Sequence, residues 1–135
     1  MMDPLQNLHY AIGELAYAVA FSDGEVQKEE REKFHYIVEE ELASNDYDFD
    51  ISEIIFQLLD KERANAATSY NSAIKEIKTN SHYLSPQLKQ KTINLMRKIA
   101  EAFPPVTEEE NRMLEMFKKD IENVIGDPVF YSTSK

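Results

Sequence analysis

Asp23 and Glu25 flank Gly24, and Glu30 follows closely behind them. Carboxylates gathered in this way suit a hard cation such as calcium or magnesium, which binds through several oxygens, and a turn between helices adds main-chain carbonyls to the set. Asp23, Glu25 and Glu30 are therefore candidate metal ligands, with Gly24 as the structural turn. The same residues also work as helix punctuation. Gly24 can take the left-handed conformation that closes a helix, and Glu29 and Glu30 fall in the first turn of the next one, where the positive dipole end favours carboxylates. Both readings remain open at the level of sequence.

A second acidic stretch, Asp46, Asp48 and Asp50, opens like a calcium-binding EF-hand loop and then departs from it. Ile51 stands where the sharp turn needs glycine, Glu53 where a hydrophobe belongs, and Gln57 where a bidentate glutamate is required. The stretch reads as an acidic loop whose last residue caps a helix, able to add ligands or charge if it folds near Asp23. His35 and Glu39 lie one helical turn apart and could share a metal, but such a pair is common by chance. His9, His35 and His82 read as structural or surface residues. There is no Ser/His/Asp set, phosphate-binding loop or dinucleotide fingerprint, and three glycines leave little room for one.

The elements that must position these residues are helical. Leu5, Leu8, Ile12, Leu15 and Val19 write one apolar stripe on a helix from about Leu5 to Phe21, and Ala11, Ala16, Ala18 and Ala20 beside it permit close approach. A second helix is expected from about Gln27 to Ala43, with Phe34, Ile37, Val38 and Leu42 inward. Asp50 and Glu53 have capping-box spacing and predict a third helix starting near Ile51, with a break between Asp60 and Asn65 before the period resumes towards Thr79. Ser85-Pro86 opens a helix whose inward face is Leu88, Leu95, Met96, Ile99 and Ala102. Thr107 with Glu110 makes another capping box, and Leu114, Phe117, Ile121 and Val124 carry the last helix towards Gly126. Tyr10, Tyr17 and Tyr36 can pack in the core or form an exposed contact surface, and their helical spacing makes the core the default. No segment alternates long enough to form a sheet, so the chain reads as all-α, with five or six helices in one domain spanning residues 1–135.

Composition narrows the function classes. The chain has 135 residues, is 42% hydrophobic and carries a net charge of −10, which argues against nucleic acid as a partner. Between Asp23 and Glu53 there are 12 carboxylates against 3 bases, so nearly all of the negative charge lies there. A field concentrated in this way attracts cations or a basic protein surface, and it also keeps a solvated face soluble. The absence of cysteine excludes disulfides and thiolate chemistry and fits a cytoplasmic protein. The apolar run from Ile12 to Phe21 is too short to cross a bilayer, and no positive region precedes it as in a signal sequence, so no membrane insertion is expected.

The pattern of the first two helices returns 80 residues later without a gap. Leu8 matches Leu88, Leu15 matches Leu95, Val19 matches Ile99, Val26 matches Val106, Glu30 matches Glu110 and Ile37 matches Phe117. Repeat 1 covers about 5–43, connecting helices about 51–80, and repeat 2 about 85–125. The second copy has Phe103-Pro104-Pro105 in place of Asp23-Gly24-Glu25, so any chemistry of the acidic turn is expected from the first copy only. The small-residue helix with Ala16 and Ala20, the Asp23-Gly24 turn, Val26 and Glu30 together resemble the TerB family of tellurite-resistance and stress proteins. That resemblance implies a compact helical fold and a non-enzymatic module with an acidic surface that takes up a divalent cation and binds a protein partner. An adaptor similar to the TerB-like part of J-domain co-chaperones is the alternative, although the chain lacks the His-Pro-Asp tripeptide and a membrane anchor. A metal-dependent hydrolase using paired carboxylates is the remotest reading, because neither a base nor a phosphate site can be named.

Overall fold

The computed structural model describes residues 3–37, 39–40, 48–102 and 104–131. Among these, the elements in order are α1 (Pro4–Ala20), α2 (Lys28–Ile37), α3 (Asp48–Glu62), α4 (Ala66–Thr79), a 3-10 turn (Ser81–Tyr83), α5 (Pro86–Glu101), α6 (Glu108–Ile121) and a short α7 (Pro128–Tyr131). No strand occurs among the described residues. The expected helices are present, with a short additional one after Asp127. The expected second helix ends as α-helix at Ile37, and the rest of its span, apart from 39–40, lies outside the described residues.

α1 is the axis of the fold. Its spacing predicts one buried stripe, but Leu8 to Ala20 is buried on every side apart from the half-buried Tyr10, because α3, α4, α5 and α6 all pack around it. The alanines and Gly13 make this possible by letting neighbouring backbones approach. A Cβ on Gly13 would stand 2.4 Å from the main-chain oxygen of Ser52 in α3, so no larger residue fits at that crossing. Ser52 Oγ also donates to the carbonyl of His9 at 2.6 Å. On another side α4 runs antiparallel to α1, and Tyr17 Oη donates to the carbonyl of Ala64 at 2.7 Å, tying down the connection between α3 and α4.

Local side-chain bonds open the helices, at Ser85 and Thr107 as the residues predict. Asp3 and Gln6 form a capping box on α1, Asn65 caps α4, Ser85 caps α5 ahead of Pro86, and Thr107 with Glu110 forms the full capping box of α6. Gly24 has φ +94°, the left-handed conformation its place after α1 requires, and its N–H donates to the carbonyl of Phe21 at 2.8 Å. α3 departs from expectation by starting at Asp48, so Asp50 is already helical and is not a cap. Asp46, the remaining member of the expected acidic loop, lies outside the described residues.

The two related hairpins pack together, with α5 lying against both α1 and α2. Matched positions carry the shared core: Leu8 and Leu88, Leu15 and Leu95, Val19 and Ile99, and Ile37 and Phe117 are all buried. Each hairpin has an apolar face it cannot bury alone, and joining them covers both.

Candidate functional site

The site grows from two helix N-termini. At the start of α2 the N–H of Gln27 donates to Glu30 Oε1 at 2.8 Å. At the start of α6 the N–H of Thr107 donates to Glu110 Oε1 at 3.0 Å, and the N–H of Glu110 returns a bond to Thr107 Oγ1 at 3.1 Å. Each glutamate thus satisfies a main-chain donor that its own helix leaves unpaired. A side chain held by the first turn normally stays at the surface, yet Glu30 and Glu110 are each only 1% exposed.

They are buried because they face each other. The Glu30 carboxyl lies within interaction reach of that of Glu110, and no ion pair between described residues involves either. Burial, then the Glu110 side chain, holds the Glu30 carboxyl well above the usual carboxylate range. The Gln27 amide opposes that shift, and the charges of Glu110 and Asp23 add to it. Glu30 is therefore the carboxyl that holds its proton more tightly than a solvated one, since a second anion beside it in a desolvated space is unfavourable.

The three expected ligands separate in the structure. Asp23 and Glu25 are exposed on the turn, where Asp23 Oδ1 accepts from the N–H of Glu25 at 3.3 Å, while Glu30 lies buried beneath with Glu110. Among the described residues no three His, Asp or Glu side chains converge as a metal-ligating group. Glu110, in the second copy and outside the expected set, is the neighbour of Glu30. Its signal was present in the sequence, because the ungapped repeat puts Glu110 at the position of Glu30, and joining two like hairpins can bring like positions together.

Other polar candidates serve the scaffold. His35 Nδ1 bonds to Glu53 Oε2 on α3, and its Nε2 lies 3.5 Å from Glu39 Oε2. Both ring nitrogens face carboxylates, so the ring acts as a strut between α2 and α3; Glu53 first, then Glu39, raises its pKa and favours the imidazolium. Arg31, one turn earlier, pairs with Asp60 of α3, and Phe34 stacks on Phe56 beneath both pairs with ring centroids 4.6 Å apart. Tyr17 joins the core as expected, but Tyr36 is exposed and Tyr10 half-buried. His9 is buried, with Nδ1 3.0 Å from the carbonyl of Leu5, and His82 packs against Tyr83 and Phe130.

The family model described as tellurite resistance protein TerB matches residues 9–122. No curated protein and no solved structure matches the chain. The matched span begins inside α1, ends with α6 and takes in the Asp23-Gly24 turn, Glu30 and Glu110. With most of its length and both buried glutamates inside that span, the chain belongs to the TerB family.

Proposed function

We propose that this chain is a non-catalytic TerB module that takes up a divalent cation at the Glu30–Glu110 pair and uses the surrounding acidic face to engage a protein with a basic surface. The supporting observation is the pair itself: two carboxyls, one from each hairpin, each 1% exposed and acting on one another. All its donors are oxygens, which suits calcium or magnesium, and two carboxylates would balance the charge of such an ion. Glu30 and Glu110 are the residues that would hold it. Asp23 adds negative potential from the turn, and the left-handed Gly24 lets the chain reverse there. A bound ion would supply fixed positive charge between the two hairpins and so favour their docked arrangement.

Calorimetric titration with calcium, magnesium, manganese and zinc tests this reading. Uptake is expected for the wild type, accompanied by proton release because the ion displaces the proton that Glu30 retains. It should persist in Glu29→Gln with Glu109→Gln, which removes exposed charge only, whereas the uptake that releases the Glu30 proton should vanish in Glu30→Gln with Glu110→Gln. Equal binding to both double variants, located at neither glutamate pair, would mean that the ion merely screens surface repulsion and that Glu30 and Glu110 are helix caps.

A further inference from the structure

The packing of α1 on α4 is apolar except along one edge. Two bonds fix its register: Asn7 Nδ2 donates to Asn80 Oδ1 at 3.2 Å, and Ser72 Oγ donates to Glu14 Oε2 at 2.7 Å. Because the helices are antiparallel, Tyr10 and Glu76 fall between those two bonds. Tyr10 and Glu14 are one turn apart on α1, as are Ser72 and Glu76 on α4, so four oxygen-bearing side chains share this edge.

Glu14 is the anomaly among them. It sits in the middle of the most buried helix and is 7% exposed. Ser72 satisfies Oε2, whereas Oε1 is buried with no hydrogen-bond partner. A buried carboxylate oxygen left unpaired is costly, and such groups call for an explanation. No ion pair between described residues reaches Glu14 or Glu76. The charge that acts on it is another carboxylate: burial, with Ser72 opposing and Glu76 adding, pushes Glu14 up to about 6. Burial, Glu14 and Glu76 likewise raise the Tyr10 phenol, which places all three groups within one electrostatic neighbourhood.

We propose that this edge is a second cation site, distinct from the Glu30–Glu110 pair, in which Glu14 and Glu76 hold a hard divalent ion with the Ser72 and Tyr10 hydroxyls beside them. The donors are all oxygen, with no thiolate and no imidazole among them, which selects magnesium or calcium over zinc. Tyr10 and Glu76 are only half-buried, so water can reach the site and complete the coordination that magnesium in particular retains. The ion supplies the positive charge that Glu14 and Glu76 lack and gives the orphaned Oε1 a partner.

Manganese locates the site directly in the wild-type protein. Added in substoichiometric amounts to 15N-labelled chain at pH 7.5, it is expected to broaden the amide signals of residues 10–14 and 72–76, with excess magnesium restoring them. Broadening confined to the starts of α2 and α6 would overturn the second site while leaving the first intact, and no broadening anywhere would overturn both. The converse separation uses Glu30→Gln with Glu110→Gln: ion-dependent broadening at the seam should survive in that background and disappear when Glu14→Gln and Glu76→Gln are added. If the wild-type seam does not respond to the ion and Glu14 only takes up a proton on acidification, the proposal fails.

Discussion

The two hairpins share a core pattern but solve their turns and outer contacts differently. Buried positions match across the 80-residue register, and so do the two glutamates that meet at the helix starts. The turns do not match: the first hairpin reverses through a left-handed Gly24, the second through Pro104-Pro105. The helices after the turns also differ in anchorage. α6 starts with a complete Thr107–Glu110 capping box, whereas α2 is strapped to α3 by Arg31–Asp60 and His35–Glu53. The hairpins agree where they pack on each other and diverge where each meets its own surroundings. That pattern separates the residues that build the shared interface from those that serve only one side.

Gly13 should break the comparison most severely. Its matched residue is Ile93, half-buried on α5, but α3 crosses only the first hairpin at this level. Gly13→Ala is expected to lower the unfolding free energy by about 3 kcal/mol, because the added methyl meets a main-chain oxygen that cannot move aside as a side chain would. Ile93→Ala should cost less, and a chemical denaturation midpoint for each variant measures the contrast. An unchanged midpoint for Gly13→Ala would mean that α1 and α3 are not in close contact.

The glutamate pair sharpens the comparison at an intermediate scale. Glu30→Ala and Glu110→Ala should each cost about 1–2 kcal/mol, since each removes a cap and leaves the other carboxyl unpaired. The double variant should cost less than the sum by about 0.5 kcal/mol or more, as groups in contact do. Strict additivity across this double-mutant cycle would show that the two carboxyls act separately, each only as the cap of its own helix.

The smallest effect is expected at His35, whose matched residue is the exposed Glu115. Its pKa is raised in the folded state by Glu53. The strut therefore stabilises the fold in full below the ordinary histidine value of about 6.5 and loses that contribution as pH rises through the folded value. His35→Gln should consequently lower the melting temperature slightly at pH 5.5 and leave it unchanged at pH 9. The difference should shrink in high salt, because the pair is exposed. A variant equally destabilised at both pH values would assign His35 a packing role instead.

The sequence by itself determined the helical class, the repeat and most helix ends, because these depend on interactions within one or two turns. Ser85-Pro86, Thr107 with Glu110 and the left-handed Gly24 act locally, and each is found as its residues predict. The early start of α3 at Asp48 escaped that reading because the Asp50–Glu53 spacing imitates a cap inside a helix that has already begun. Tertiary structure alone decided the rest. It made α1 a central axis, because only the docking of other helices shows which of its sides are covered. It joined Glu30 to Glu110 and set Glu14 against Ser72, pairs separated by tens of residues whose meeting depends on how whole helices cross. A carboxylate's spacing shows that it can cap a helix, but its burial, its partner and the charge it lacks arise only when a distant element packs against it.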